Sequence, residues 1–345
     1  MSRGNEAILT RGSEAVMNRV ATKPVSKRGE VAMLPFKHLI SSNQLTPEVL
    51  SELFAATDHM KNVCERRGRS PLLASRVVAL LFYEPSSRTM LSFQSAAQRL
   101  YAGVLFAQGK ESSALKKRET LHDSMSVFSG YCDAIIMRHP DKGSAEKAAA
   151  ACAVPFINAG DGGNEHPTQA LIDAYTIHKE LGRLDNLHVA FGFDPLQSRS
   201  IHSLAFLLAQ YPGSEFTFVS PEPLAAGREF LNTLKKSGVT CHESNDLAAL
   251  KDADVIYLNR LQEERFENSD DFERYRRLYV LQPEMIGPKQ RLILDPLPRI
   301  DEIALAVDEL PQAAYFRQAH NGVAVRMALL VTMLKGVGGG AREED

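Results

Sequence analysis

The feature that most constrains the fold is a regular alternation of short apolar runs with segments of helical spacing. In the first half of the chain the apolar runs, which read as buried strands, are Arg76–Tyr83, Gly103–Ala107, Cys132–Met137 and Val154–Asn158. The helical segments between them are Thr89–Leu100, Thr120–Phe128 and Ser144–Ala153. Strands that alternate with helices form parallel sheets covered on both faces. The first half is therefore predicted to be a doubly wound α/β domain.

The same rhythm restarts after a long helical stretch from His166 to about Leu184. The strands predicted there are His188–Phe193, Glu215–Val219, Val239–His242, Val255–Leu258 and Arg291–Leu294, with helices at Arg199–Gln210 and Leu224–Lys236. A last apolar helix, Val323–Leu334, has no following strand and is expected to fold back onto the first half. The predicted fold class is thus α/β, with two doubly wound parallel-sheet domains joined by a long helix and a cleft between them.

The domain boundaries follow from these patterns and from composition. We expect a mobile N-terminal extension at 1–34, with a transit peptide as the alternative, although its acidic residues are unusual for one. The first domain is placed at 35–170 with 318–335 packing back on it, the second at 171–317, and a frayed tail at 336–345. A chain of 345 residues, 44% of them hydrophobic, is long enough for two such domains.

Charge and cysteine content exclude several functional classes. The 40 basic and 42 acidic residues nearly cancel, so bulk charge does not predict a nucleic-acid or membrane surface. The four cysteines are far apart and lack zinc-ligand spacing, which predicts free thiols in a reducing compartment. The apolar runs are too short to span a bilayer, and a cytoplasmic location is expected.

An unusual set of donors stands where the first long strand turns into a helix. The stretch FYEPSSRTMLSF, at 82–93, places Ser86, Ser87, Arg88 and Thr89 at the predicted start of that helix. The first turn of a helix offers unpaired N–H groups and the positive end of the helix dipole, so it attracts anions. Capping the N-terminus of this helix would need only one serine. The positive charge of an arginine in the first turn is unfavourable next to the positive end of the helix dipole. The pattern predicts a bound phosphate or similar anion.

Similar donors follow other predicted strands or open predicted helices. They are Arg138, His166 and Gln169 in the first half, Arg199 and Arg260 in the second, and Lys117 in a basic loop at 112–120. Each alone reads equally well as a surface or structural residue, but ligands of open α/β sheets bind at the carboxyl ends of the strands. With no acidic metal cage and no GxGxxG, the set favours a small substrate with two or more anionic groups and requires no cofactor.

At this point the chain closely resembles the aspartate carbamoyltransferase family, within the aspartate/ornithine carbamoyltransferase superfamily. The resemblance covers about residues 35–335 and rests on blocks in the family's order. They include FYEPSSRTMLSF, SSALKKRETL, MRHP, NAGDGGNEHPTQALID, SRSIHSL, NRLQEER, DPLPRIDEIALAVD and YFRQAHNGVAVRMALL. It implies transfer of the carbamoyl group of carbamoyl phosphate to L-aspartate, for pyrimidine synthesis, without metal or covalent intermediate.

The resemblance also implies roles for individual residues. The phosphate would be bound by Ser86, Ser87, Arg88 and Thr89. The carbonyl oxygen would be contacted by Arg138, His166 and Thr89. The carbamoyl nitrogen would be held by Gln169 and by the backbone carbonyls around Pro296 and Leu297. Arg199, Arg260 and Gln262 would bind the aspartate carboxylates. Ser113 and Lys117 match a loop that enters the neighbouring subunit's site in a homotrimer. A regulatory chain or another pathway enzyme could join such trimers.

Departures from the family motifs keep two alternatives open. Met90 replaces an arginine, Arg118 a glycine, and Asp295 the histidine of the usual His-Pro-Leu-Pro. Asp295 could recruit an extra ammonium, so that a diamino acid or another amine is the acceptor. The chain could also be a non-catalytic relative that serves as an interaction partner, although the intact arginines count against this. A dinucleotide-dependent enzyme is a weak further reading, because 188–200 lacks the needed glycines.

Overall fold

A computed structural model describes residues 34–109, 119–261, 263, 266, 268–287 and 292–334. Within these residues the chain forms two five-stranded sheets, and every strand pair is parallel. The first sheet has the order β1-β5-β4-β2-β3 and the second β10-β9-β6-β7-β8. In both sheets an early strand lies in the interior and later strands add on either side, which is the doubly wound arrangement. The predicted fold class is confirmed.

Apart from β1, which was not predicted, the described strands agree with the predicted runs to within about three residues at their ends. In the first sheet they are β1 (His38–Leu39), β2 (Val77–Phe82), β3 (Gly103–Gln108), β4 (Ala134–His139) and β5 (Phe156–Asp161). In the second they are β6 (His188–Gly192), β7 (Glu215–Val219), β8 (Thr240–Ser244), β9 (Val255–Leu258) and β10 (Leu292–Leu294). β4 and β5 extend past their predicted ends into the buried polar residues Arg138, His139 and Asp161, which a hydrophobic pattern does not include.

The helices cover the faces of the two sheets. They are α1 (Pro47–Glu65), α2 (Ser87–Arg99), α3 (Leu121–Phe128), α4 (Ser144–Ala151), α5 (Pro167–Leu181), α6 (Arg199–Leu208), α7 (Arg228–Lys236), α8 (Ser269–Leu278) and α9 (Tyr315–Leu334). α1 and α8 were not predicted. α1 carries the cap that would have revealed it, since the Thr46 side chain accepts from the N–H of Val49 and Pro47 occupies the first turn.

Two helices connect the halves of the molecule. α5 is the predicted long helix between the sheets, and nearly all of its first three turns are buried. The last helix, α9, begins at Tyr315 rather than at Val323 and packs against α1, α2 and α5, so its predicted return to the first half is confirmed. The sequence pattern missed its first two turns because they carry exposed polar residues such as Arg317 and His320.

Some predicted features fall outside the described residues. These are the N-terminal extension, apart from Leu34, and the C-terminal tail. The four cysteines are free thiols. Among the described helices, none is both long enough and apolar enough to cross a bilayer. The domain limits at 35–170 and 171–317 stay predictions.

Candidate active site

A large cavity of about 1030 Å³ lies at the carboxyl ends of the strands, between the two sheets. Its walls come from the β2–α2 turn, the end of β4, the loop after β5, the start of α6, the ends of β9 and β10, and one face of α9. All predicted site residues that the structure describes line it: Ser86, Ser87, Arg88, Thr89, Arg138, His166, Gln169, Arg199, Arg260, Pro296 and Leu297. Ser113, Lys117 and Gln262 lie outside the described residues.

The N-terminus of α2 forms one wall of the cavity. Ser86 is the N-cap residue, but its side chain makes no capping hydrogen bond. At the start of α6 the equivalent residue, Ser198, does cap its helix by accepting from the N–H of Ile201 at 3.2 Å. The Ser86 hydroxyl is thus not used in capping, and the first N–H groups of a helix are suited to bind an anion in the cavity.

Two arginines from opposite sheets meet at a shared carboxylate. Arg138, at the end of β4, donates from Nη2 to Glu84 Oε1 at 3.0 Å, and Arg199, at the start of α6, lies 3.3 Å from Glu84 Oε2. Both arginine side chains are mostly buried. Burial and the charge of Arg199 lower the pKa of Arg138 to about 10, partly offset by Glu84. Two buried cations with one carboxylate leave a site that attracts further negative charge.

The imidazole of His166 is held neutral at the back of the cavity. Its side chain is fully buried, which lowers its pKa well below the ordinary histidine value, and the charges of Arg138, Arg199 and Arg326 lower it further. The Thr168 hydroxyl lies 3.4 Å from Nδ1 of the ring, and the backbone N–H of His166 donates to Ser203 Oγ at 2.9 Å. A neutral imidazole carries one ring N–H, which can serve as a hydrogen-bond donor at pH 7.

The loop that carries His166 is tied down by Asp161. This buried carboxylate accepts from the N–H of Gly143 at 3.1 Å, from Asn164 Nδ2 at 3.0 Å and from the N–H of Glu165 at 3.1 Å. Glu165 in turn accepts from the hydroxyl and the N–H of Ser42. A glycine-rich loop with so many internal bonds is a rigid wall rather than a mobile connection.

Gly160 allows the two guanidinium groups to approach the loop backbone. Its φ of +117° is a conformation that L side chains rarely adopt. A Cβ built there would lie 3.3 Å from Arg199 Cζ and 3.4 Å from Arg138 Nη1. The glycine therefore fixes where the positive charge of the site is placed.

Gly160→Ala is expected to destabilise the fold by about 1–3 kcal/mol through the unfavourable φ. It should also lower kcat/KM by about 10²-fold, because it shifts the loop backbone and the guanidinium groups that pack on it. Denaturant unfolding and steady-state kinetics measure the two effects. Gly163→Ala is the matched control, since Gly163 lines the same cavity with open space around its Cβ position and should change stability by less than about 0.5 kcal/mol. Equal effects of the two substitutions would contradict this role of Gly160.

The turn after β10 brings backbone carbonyls to the cavity. Leu297 has a φ of +59°, and its N–H donates to Asp295 Oδ1 at 2.5 Å. Asp295 is buried beside Glu302, and burial followed by the Glu302 charge raises the pKa of Asp295 well above its ordinary value. A carboxyl group whose charged form is disfavoured by burial, and whose Oδ1 already accepts from Leu297, holds the turn and is poorly suited to attract an ammonium group.

Four cavity or network residues were missed by the sequence analysis: Glu84, Asp173, Gln318 and Arg326. Glu84 belongs to the FYEPSSRTMLSF stretch, but an anion site is predicted from its hydrogen-bond donors, and a carboxylate does not fit that pattern. Arg326 carried a detectable signal as a lone cation in an apolar helix. Asp173 and Gln318 gave none, because their role depends on contacts between α5 and α9. Among the described residues, no group of three or more His, Cys, Asp or Glu could hold a metal ion.

Comparison with known families gives two matches that together span most of the chain. Residues 37–179 match the model of the aspartate/ornithine carbamoyltransferase carbamoyl-P binding domain. Residues 185–333 match the model of the aspartate/ornithine carbamoyltransferase Asp/Orn binding domain. The cavity described above therefore lies between the two matched regions.

Individual relatives agree with these matches. The aspartate carbamoyltransferase catalytic subunit of Methanocaldococcus jannaschii is 40% identical over 87% of this chain and 98% of its own length. A chloroplastic aspartate carbamoyltransferase of Arabidopsis thaliana is 43% identical over 89% of this chain and 80% of its own. The solved M. jannaschii catalytic subunit superimposes with a TM-score of 0.83, covering 88% of this chain and 100% of that one. The Trypanosoma cruzi aspartate transcarbamoylase in complex with N-(phosphonacetyl)-L-aspartic acid superimposes with a TM-score of 0.81 and 33% sequence identity, covering 87% of this chain and 97% of that one.

Proposed function

The chain belongs to the aspartate/ornithine carbamoyltransferase family, and from this premise we propose that it transfers the carbamoyl group of carbamoyl phosphate to L-aspartate. The products are N-carbamoyl-L-aspartate and phosphate. The observation that carries the proposal is the convergence of Arg138 and Arg199, from different sheets, on one cavity beside an anion-binding helix start. Relatives from T. cruzi have been solved with carbamoyl phosphate and aspartate and with a phosphonate mimic of both.

The phosphate group would bind at the N-terminus of α2. The hydroxyls of Ser86, Ser87 and Thr89 and the first N–H groups of the helix act as donors there, and all three serine and threonine residues line the cavity. Arg88 offers a planar fork of donors that matches two phosphate oxygens. The positive end of the helix dipole adds to this attraction.

The carbamoyl group would lie between the two sheets. Arg138, neutral His166 and Thr89 donate to its carbonyl oxygen, where negative charge builds during attack. Gln169 and the backbone carbonyls of Pro296 and Leu297 accept from its nitrogen. Preorganised donors aimed at a developing oxyanion are a major source of catalytic power, worth about 3–4 kcal/mol per donor.

Aspartate would be held by cations of the second sheet. Arg199 and Arg260 bind its two carboxylates, assisted by Gln262, and orient the α-amino group toward the carbonyl carbon. The deprotonated amine attacks, the C–N bond forms, the C–O bond to phosphate breaks, and one amine proton is released. Holding two anions that otherwise repel each other in attack geometry supplies much of the remaining rate enhancement.

The acceptor is proposed to be aspartate rather than a diamino acid. The carboxyl group of Asp295 is buried against Leu297 and Glu302, and burial followed by the Glu302 charge raises its pKa. A carboxyl group whose charged form is disfavoured is a poor partner for a second ammonium, whereas Arg199 and Arg260 offer two cations to a dicarboxylate.

The active sites are proposed to be shared within a homotrimer, with Ser113 and Lys117 entering the neighbouring subunit's cavity. The edge strand β3 leads into this loop. Its apolar side chains Leu105 and Phe106 expose 42% and 46% of their surface to solvent. Exposed apolar side chains on a sheet edge support a subunit contact. The four free cysteines support a reducing compartment such as the cytoplasm.

The direct test is a carbamoyl-transfer assay on the purified chain. We expect equimolar phosphate and N-carbamoyl-L-aspartate from carbamoyl phosphate and L-aspartate, with no transfer to ornithine or a diamino acid. N-(phosphonacetyl)-L-aspartic acid should bind tightly and inhibit. The Arg88→Ala variant is the negative control. Transfer to another amine but not to aspartate would replace the proposed acceptor, and no transfer to any acceptor would reject the activity.

A further inference from the structure

Asp173 is a fully buried carboxylate that collects three hydrogen bonds next to the candidate active site. Its Oδ1 accepts from Gln169 Nε2 at 2.7 Å and from Gln318 Nε2 at 2.6 Å. Its Oδ2 accepts from the Tyr257 hydroxyl at 2.8 Å. The donors come from α5, α9 and β9, so one carboxylate joins the interdomain helix, the C-terminal helix and a strand of the second sheet.

These bonds determine which way two cavity-lining amides face. Because Nε2 of Gln169 is committed to Asp173, its Oε1 is the end left to the cavity, and a carbonyl oxygen accepts but does not donate. Gln318 is oriented in the same way, since its Oε1 accepts from the N–H of Asp295 at 2.9 Å. Asp295 in turn holds the N–H of Leu297. Asp173 is therefore linked by hydrogen bonds to both groups proposed to accept from the carbamoyl nitrogen: directly to the Gln169 amide, and through Gln318 and Asp295 to the turn at Leu297.

We propose that Asp173 is a positioning residue whose ionised carboxylate orients the Gln169 amide to accept from the carbamoyl nitrogen of the substrate. This inference rests on the proposed function for the identity of that nitrogen. Asp173 contacts no reacting atom, and its effect is transmitted through Gln169. A neutral acceptor in its place would hold the amide more weakly, because hydrogen bonds to a charged acceptor are roughly twice as strong as those to a neutral one.

The surroundings of Asp173 raise the pKa of its carboxyl group to near neutral pH. Burial raises its pKa to about 7, against the lowering effects of its three hydrogen bonds and of the Arg326 charge. The charged or titratable groups facing it are Arg326 of α9 and Tyr257 of β9, with Asp295 beyond Tyr257. Above this pH the carboxylate is ionised and accepts from all three donors. Below it the group carries a proton, and the amide is held less firmly.

The first test compares the pH dependence of KM for carbamoyl phosphate in the wild type and in Asp173→Asn, which is nearly isosteric with the protonated acid. In the wild type we expect KM to rise about tenfold as pH falls from 8 to 6. In the variant KM should equal the low-pH value of the wild type and stay constant across this range, while kcat changes less than KM. An unaltered pH profile in the variant would overturn the proposal, because a purely structural role leaves that profile in place.

A double-mutant cycle tests whether the effect passes through Gln169. We expect Gln169→Ala to raise KM for carbamoyl phosphate, and Asp173→Asn to have little further effect in that background. Effects that simply multiply would show that Asp173 acts independently of Gln169 and would contradict the inference.

A measurement without substrate separates this inference from the proposed function. In protein labelled with nitrogen-15 glutamine, the side-chain amide signal that disappears in Gln169→Ala should shift with pH around 7 in the wild type and stay constant in Asp173→Asn. A signal that does not respond to pH in the wild type overturns the coupling. If no acceptor is carbamoylated, the proposed function fails, and the amide signal still decides whether Asp173 controls Gln169.

Discussion

Replacing Arg138 by alanine is expected to lower kcat/KM for carbamoyl transfer by about 10³-fold, the loss typical of removing a donor from an oxyanion site. Arg138 is buried and lines the cavity, and its Nε has no hydrogen-bond partner among the described residues. A guanidinium that lines the same cavity as the neutral imidazole of His166 is placed to stabilise charge that develops on a carbonyl oxygen. Both kcat and kcat/KM should therefore fall, and phosphate release gives both values.

The substitution also removes a partner from Glu84. The carboxylate would keep only Arg199, at 3.3 Å, which draws that cation away from aspartate and adds to the loss. Arg138→Lys is the matched control, because it restores one positive charge without the planar fork, and it should recover only part of the rate. A loss of less than tenfold in the alanine variant would show that Arg138 does not act on the reacting group.

Mixing two inactive variants is expected to restore about a quarter of the wild-type activity, if sites are shared within a trimer. Arg88→Ala damages the cavity of its own chain, and Lys117→Ala damages the loop proposed to enter the neighbouring cavity. Each variant alone should lose most of its activity. In trimers formed at random from equal amounts, about one site in four combines an intact Arg88 with an intact Lys117 from next door.

The control for this experiment pairs two variants of the same cavity. Arg88→Ala mixed with Arg138→Ala should recover no activity, because both residues line the cavity of one chain and each site contains one of the two defects. Activity is measured after the chains are dissociated and reassembled together. Failure of Arg88→Ala and Lys117→Ala to complement each other would show that each chain builds a complete site by itself.

Much of the candidate site could be predicted because its residues are placed by local rules. Ser86 to Thr89 follow a buried strand and open a helix, and Arg138 and Arg260 end strands of parallel sheets. Strand ends of a parallel sheet lie at one edge, so the sequence predicts that these side chains line a common cavity. The boundaries were less predictable, as the polar start of α9 shows.

The pairing of residues far apart in the chain could not be predicted in the same way. Glu84 joins Arg138 to Arg199 across the gap between the sheets, and Asp173 joins Gln169 to Gln318, which lies 145 residues after Asp173. No local pattern encodes such contacts, because they depend on how the two sheets and α9 are packed. The free N–H of Arg138 and the raised pKa of Asp173 both arise from this packing, since burial determines hydrogen bonding and proton affinity.

The amino-acid sequence by itself determined the alternation of strands and helices, the parallel sheets, and the edge at which donors would gather. These follow from hydrophobic period and backbone geometry, which act over a few residues. Only the tertiary structure decided which cations are paired, which amides are oriented and which carboxyl groups have raised pKa values. Those properties follow from desolvation and from contacts between distant segments, and they exist only when the chain has folded.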